Sequence, residues 1–307
     1  MLDVGVQTKG IVTDQTVDSG YLKIANAGFD RVDFNLDSYL KNTEIYGSKL
    51  NHFFDQTEEE LTEIFIKHRD AMRKNGLRPS QMHAPYPVLI KGKTEQNKYI
   101  AEQVIPKSFM IANLLEVPYM VIHPIKLQGQ VSMSYEIEQN LIFFESLIPL
   151  IHKYNVKVCM ENLYEGFGNR IIEGVCGNPN KAVYMLDELN EKAGEELFGI
   201  CLDSGHMNLV HRQPYEMITT LGKRIKVLHL HDNDGKADIH QMPYTYGEEG
   251  VNWPEVLRGL KDVGYEGTLS FETYPCVNSF PKVTQGQVLK QLEQTGRYWA
   301  RELDQAL

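Results

Sequence analysis

Residues 225–240 read IKVLHLHDNDGKADIH: a short apolar run, then three histidines and three aspartates within residues 229–240. A brief apolar run rich in branched side chains reads as a buried strand, and alternate residues of a strand share a face. Val227, His229 and His231 then point one way, and Leu228 and Leu230 the other. One face of this strand packs, while the other ends in groups able to bind a metal or move a proton.

Working outward, the same pattern recurs along the chain. Candidate strands cover residues 3–8, 31–35, 80–83, 119–123, 156–161, 198–203, 226–231 and 268–272. Stretches of helical period lie between them, such as 57–75 and 135–154, and 282–303 follows the last strand. Eight strand-then-helix steps without a linker or low-complexity stretch predict an α/β fold, a (β/α)8 TIM barrel forming a single domain over residues 1–307. The competing architecture, a doubly wound open sheet, calls for a Gly-rich phosphate turn after its first strand, and VGVQTKG at 4–10 has no GxGxxG spacing.

Composition narrows the class. With 42% hydrophobic and 23% charged residues the chain reads as a packed soluble protein. The opening MLDVGVQTKG lacks the order of a secretory signal, and no run is long and apolar enough to span a bilayer, so the expectation is a cytoplasmic protein with no membrane partner. Cys159, Cys176, Cys201 and Cys276 form no CxxC pair and are expected to be buried reduced thiols. The net charge of −10 and the absence of a Lys/Arg cluster argue against nucleic acid as a partner. Glu58, Glu59 and Glu60 read as the solvated first turn of a helix.

Six candidate ligands, His83, His123, Glu161, Asp203, His231 and Glu272, each end a predicted strand. In a barrel these ends share the face where active sites are built. Taken singly, each has a bland reading: a hydrogen-bonded structural histidine, a helix-capping aspartate, a loop glutamate. Together they conflict with burial, because carboxylates gathered without a cation are strongly unfavourable, and a divalent ion resolves the conflict.

HAPY at 83–86, VIHP at 121–124, CMEN at 159–162, LDSGH at 202–206, HLHDND at 229–234 and SFET at 270–273 occur in that order over nearly the whole chain. This ordered set resembles the xylose-isomerase-like barrel superfamily, which includes sugar-phosphate isomerases and epimerases, ketose 3-epimerases, inosose dehydratases and endonuclease IV. The resemblance implies a metal held by Glu161, Asp203, His231 and Glu272. His231 is preferred to His229 because the family's ligand histidine is followed three residues later by Asp, here Asp234. His229 then packs behind the ligands or faces the substrate. By resemblance to the three-metal site of endonuclease IV, His83, His123, His206, Asp238 and His240 form a candidate second metal site. Two departures set the nuclease apart: a shorter segment between His231 and Asp238, and loops without basic character.

The expected activity is that of a divalent-metal-dependent isomerase or epimerase of a sugar or sugar phosphate, working through a metal-stabilised enediolate, with Mn, Zn, Co or Mg as cofactor. Glu161 and Glu272 are the expected base and acid, and His206 orients hydroxyls or shuttles a proton. His123, His229, Trp253 and Tyr164 are expected to bind the small carbohydrate, within an aromatic lining that also draws on Tyr39, Tyr46, Phe53, Phe54, Phe167, Tyr244, Tyr246 and Tyr274. Lys91, Lys93, Lys126, Arg170 and Lys236 are candidates to neutralise a phosphate. A metal-dependent nuclease or phosphoesterase, and a barrel subunit of a C-glycoside-cleaving complex, remain the alternatives. The resemblance also implies pairing of barrels through their loops into a homo-oligomer.

Overall fold

The computed structural model describes residues 1–47, 50–127 and 131–304. The barrel strands are β1 (Val4–Gln7), β2 (Arg31–Asn35), β3 (Arg78–His83), β4 (Tyr119–Ile122) and β5 (Lys157–Glu161). A hairpin of β6 (Tyr164–Phe167) and β7 (Arg170–Glu173) intervenes before β8 (Phe198–Asp203), β9 (Ile225–His229) and β10 (Leu269–Phe271). Eight strands form one parallel sheet in the order β10-β1-β2-β3-β4-β5-β8-β9. A bridge between Leu230 and Phe271 joins its two ends, with Leu230 N donating to Ser270 O at 2.9 Å and Glu272 N to Leu230 O at 3.1 Å. The sheet is thereby closed into the expected barrel. No described helix is long and apolar enough to cross a membrane.

The alternation read at 227–231 holds. Val227 joins Val121, Cys159 and Cys201 in a small apolar plug inside the barrel, whereas Leu228, Leu230, Leu269 and Phe271 belong to the larger core between strands and helices. Above the plug the interior turns polar, with Asp33 Oδ2 3.0 Å from His229 Nε2 and accepting from Gln81 Nε2 at 3.2 Å. All four cysteines are buried free thiols.

Local chemistry sets the helix boundaries. Thr57 and Glu60 form a reciprocal capping box at the start of the helix Glu58–Lys74, with Glu58, Glu59 and Glu60 in its first turn. The stretch expected as one helix over 135–154 is two helices, Met133–Glu145 and Ile148–Tyr154. Pro149 explains the break: it lacks an N–H and its ring clashes with the carbonyl four residues back, so it sits in a first turn. The hairpin β6–β7 lacks a clear alternation and was not anticipated.

Candidate functional site

All six strand-end residues gather at one face. His83 and Glu161 close β3 and β5, Asp203 closes β8, and His123 and Glu272 directly follow β4 and β10. His231 lies two residues past the end of β9, just beyond the bridge at Leu230. Asp203 also caps the helix Ser204–Leu209 by accepting from His206 N at 2.7 Å, which fixes His206 beside it. Asn162 ties the neighbouring strand ends together: its amide donates to Asp203 O at 3.0 Å and accepts from Asp203 N at 2.7 Å.

Glu161 is the hub. Its Oε2 lies 3.5 Å from His83 Nε2, 3.3 Å from His123 Nε2 and 3.3 Å from His229 Nδ1, and its Oε1 is 3.2 Å from His206 Nδ1. His231 Nε2 is 3.0 Å from both Asp203 oxygens. His229 Nδ1 is 3.2 Å from Glu272 Oε2 and so lies between the two glutamates. Asp238 Oδ2 lies 3.3 Å from His206 Nε2 and 3.2 Å from His240 Nε2, and the His240 ring stacks on His231 at 3.9 Å. Gly205 is required here, since a Cβ would fall 2.0 Å from His231 Cε1.

Several imidazoles are oriented by partners outside the cluster. The Nδ1–H groups of His83, His206 and His240 donate to Ala84 O (2.7 Å), Asn162 O (2.8 Å) and Glu272 O (3.0 Å), which leaves each Nε2 facing carboxylates. His229 is held the other way round, by Asp33 on Nε2. Histidines whose distal nitrogen is fixed by a carbonyl or carboxylate are the usual form of metal-ligating imidazole.

The donor set fits a divalent cation on a second count. Glu161 Oε2, His229 Nδ1, His231 Nδ1 and Asp238 Oδ1 are buried and have no hydrogen-bond partner among the described residues. Donor atoms within 4.8 Å of one another form the groups His83/His123/Glu161, Glu161/Asp203/His206, Asp203/His229/Glu272 and His231/His240/Glu272. Two regions of the cluster therefore offer ligands, one centred on Asp203 and Glu272 and one on His83 and His123.

Electrostatics follow from this crowding. Burial opposes charge on Glu161, yet His123 and His229 hold it well below the usual carboxylate range. Asp238 is likewise depressed against its burial by His206 and His240. His240 is pushed up to about 9, Asp238 and Glu272 outweighing desolvation, whereas burial dominates at His123 and takes it down to about 4.

Above the cluster opens a cavity of about 510 Å³ reached by His123, His206, Asp238, His240 and Glu272. That volume suits a small molecule. Tyr46, Tyr164 and Tyr274 line it as expected, joined by three residues that were not singled out, Tyr86, Lys9 and Asn42. Tyr86 stacks on His123 at 4.1 Å; an aromatic three residues after a strand-end histidine was its only signal. Lys9 and Asn42 are ordinary residue types whose placement depends on the fold.

Several expectations need correction. Trp253 does not line the cavity: it is buried at the start of the helix Trp253–Asp262 and stacks on Trp299 at 4.7 Å, because a large ring at that position packs between helices. His229 does not face substrate either; it is fully buried beneath the carboxylates, since an inward residue two positions before His231 lies deeper in the barrel. Tyr39, Phe53 and Phe54 pack in a cluster around Phe65, away from the cavity. Of the candidate cations, Lys91 and Lys126 reach the cavity, while Lys93 Nζ donates to Gly47 O at 3.2 Å and Lys236 pairs with Glu249 in solvent.

Parallel strands closed on themselves, with carboxylates and oriented imidazoles converging where they end, define a (β/α)8 barrel carrying a candidate metal centre. The chain belongs to the xylose isomerase-like TIM barrel family, whose model matches residues 22–292. Its fold is similar to that of a D-tagatose 3-epimerase-like protein, with a TM-score of 0.65 at 21% identity, covering 97% of this chain and 100% of that one. It is also similar to D-allulose 3-epimerase from Methylomonas sp. in complex with D-allulose (TM-score 0.68, 13% identity, 98% of this chain and 96% of that one). The IolI protein with a bound zinc atom is a third likeness (TM-score 0.65, 17% identity, 98% of each chain).

Proposed function

We propose that this protein is a divalent-metal-dependent isomerase or epimerase of a sugar or sugar-like polyhydroxy compound. The observation that carries the reading is that Glu161, Asp203, His231 and Glu272 lie in overlapping groups of donor atoms below a small-molecule cavity, with Glu161 Oε2 and His231 Nδ1 buried and lacking a hydrogen-bond partner among the described residues. Solved structures of similar fold, a D-tagatose 3-epimerase-like protein, a D-allulose 3-epimerase holding D-allulose and a zinc-bound protein, support it.

In this reading Glu161, Asp203, His231 and Glu272 hold the ion. When bound, the ion polarises the substrate carbonyl and offsets the charge that builds up as the neighbouring C–H is deprotonated. Glu272 reaches the cavity and takes the proton from one face of the reacting carbon, and Glu161, set among the imidazoles of His123 and His206, delivers to the other face a different proton, one exchanged with solvent. His206, His240 and Asp238 orient hydroxyls along the wall. Tyr164 and Tyr86 offer aromatic faces to the C–H side of the substrate. Four buried free thiols suit a cytoplasmic setting.

The test is incubation of the metal-loaded protein with a ketose and aldose panel in deuterated water. Incorporation of deuterium at a single carbon, lost on chelation, is expected; no incorporation with any sugar overturns the reading.

One observation favours a second reading. The backbone-oriented histidines His83, His206 and His240 would offer ligands to more than one ion, as a phosphoester-cleaving site would. Metal-dependent incision of DNA at abasic sites, with His83→Ala as damaging as Asp203→Ala, would select it.

A further inference from the structure

The cavity is polar in a directional way. Carboxylates and imidazoles form its floor, while Lys9, Lys91 and Lys126 line its wall. Lys9 has a partner, Asp37, 2.5 Å from its Nζ. Lys126 differs: its Nζ sits 4.9 Å over the centre of the Tyr164 ring, and among the described residues no carboxylate pairs with it. Burial disfavours its charge by more than Glu165, Glu161, Asp238 and Glu136 restore it. A partly buried ammonium facing a cavity without a counter-ion is unfavourable unless the cavity supplies one.

The backbone carrying Lys126 is also fixed. Ile125 N donates to Asn140 Oδ1 at 2.7 Å and Asn140 Nδ2 donates back to Ile125 O at 3.0 Å. On the other side Leu127 N donates to the Glu136 carboxylate. Both helix residues are buried, so the neighbours of Lys126 are clamped from within and its side chain is held against an aromatic face. This is a built position, unlike that of a lysine on a solvated loop.

We propose that Lys126, seated on Tyr164, anchors an anionic group of the substrate, so that the natural substrate is a sugar phosphate or a sugar acid and not a neutral sugar. The proposal rests on the sugar-converting reading for the identity of the rest of the molecule. An ammonium acts as a point charge toward phosphate or carboxylate, and the ring beneath it steadies the cation without neutralising it.

Calorimetric titration of inorganic phosphate into the metal-loaded full-length protein tests the anchor directly. Wild type is expected to bind, Lys126→Gln to weaken binding about tenfold or more, and Lys126→Arg to retain it. Phosphate held by the ion alone would bind Lys126→Gln as tightly as wild type, and that result, or no binding, overturns the proposal. In the kinetic arm a neutral ketopentose, its 5-phosphate and a ketohexuronate are compared by deuterium incorporation. One anionic compound is expected to be preferred about tenfold or more in kcat/KM, mainly through KM, with the preference lost in Lys126→Gln and kept in Lys126→Arg; the compound showing it tells phosphate from carboxylate. Equal use of neutral and anionic sugars, unchanged in Lys126→Gln, overturns the proposal. Phosphate binding that depends on Lys126 in a protein inert toward every sugar removes the epimerase reading and leaves the anion site standing.

Discussion

Asn162 and Asp203 exchange two hydrogen bonds across the ends of β5 and β8, Asn162 Nδ2 to Asp203 O at 3.0 Å and Asp203 N to Asn162 Oδ1 at 2.7 Å. This link sets the separation of two candidate ligands, Glu161 and Asp203, and it is fully buried. Asn162→Ala is expected to destabilise the protein by about 1–3 kcal/mol in urea unfolding, because two backbone groups lose their partner. It should also weaken metal binding by about 10–100-fold, measured by calorimetry on the apo-protein, as for other residues that orient ligands.

Glu161→Gln and Glu272→Gln should each lower kcat by about 10²–10⁴ while circular dichroism shows a folded protein. A variant with wild-type turnover removes that glutamate from the proton transfer.

The metal content separates the two readings of the cluster. The epimerase predicts about one ion per chain by elemental mass spectrometry, unchanged in an Asp238→Ala, His240→Ala double variant. Two or three ions, falling in the variant, would show that His206, Asp238 and His240 hold a metal and would bring phosphoester substrates forward.

Acid stability should report on Asp30. Burial alone would raise its carboxyl, but Arg297, 2.6 Å away, and the Val4 amide, 2.9 Å away, outweigh burial and hold it below the ordinary range. A depressed folded pKa gives stability that is present above the unfolded value of about 3.9 and is lost as pH falls through the folded one. Asp30→Asn should therefore unfold at lower urea than wild type at pH 7, with the difference narrowing below about pH 4. A gap that persists at pH 2 would contradict the assignment.

The corrected place of Trp253 has its own test. Trp253→Ala should cost about 3–5 kcal/mol of stability, as for other buried aromatics, while Trp253→Phe leaves KM for any sugar unchanged. Tyr164→Ala, at the cavity, should do the reverse and raise KM.

Much of the fold was legible in residue order. Each barrel strand lies within the expected segments or extends them by at most two residues, because a buried parallel strand must be a short apolar run whose inward positions alternate. The helix break is legible in Pro149 itself, whereas the hairpin β6–β7 leaves too weak a pattern in eight residues to read.

The stretch at 229–240 shows where reading in one dimension stops. Three aspartates there look alike, yet Asp232 turns inward to hold its own loop, accepting from Asn233 N, Thr245 N and Val251 N. Asp234 ties down a turn by accepting from Lys236 N and Ala237 N, and Asp238 alone of the three reaches the cavity. Residue type states what each side chain can do, but the path of the loop chooses its partner.

The sequence by itself determined the barrel, its inward and outward faces, and the meeting of Glu161, Asp203, His231 and Glu272 at one end, because strand period and strand-end position are properties of residue order. Only the tertiary structure decided that His229 is packed below the carboxylates, that Trp253 is core, and that Lys126 stands over Tyr164 with no carboxylate paired to it among the described residues. Those outcomes depend on depth, packing and the distance between groups remote in the chain, none of which has a period along it.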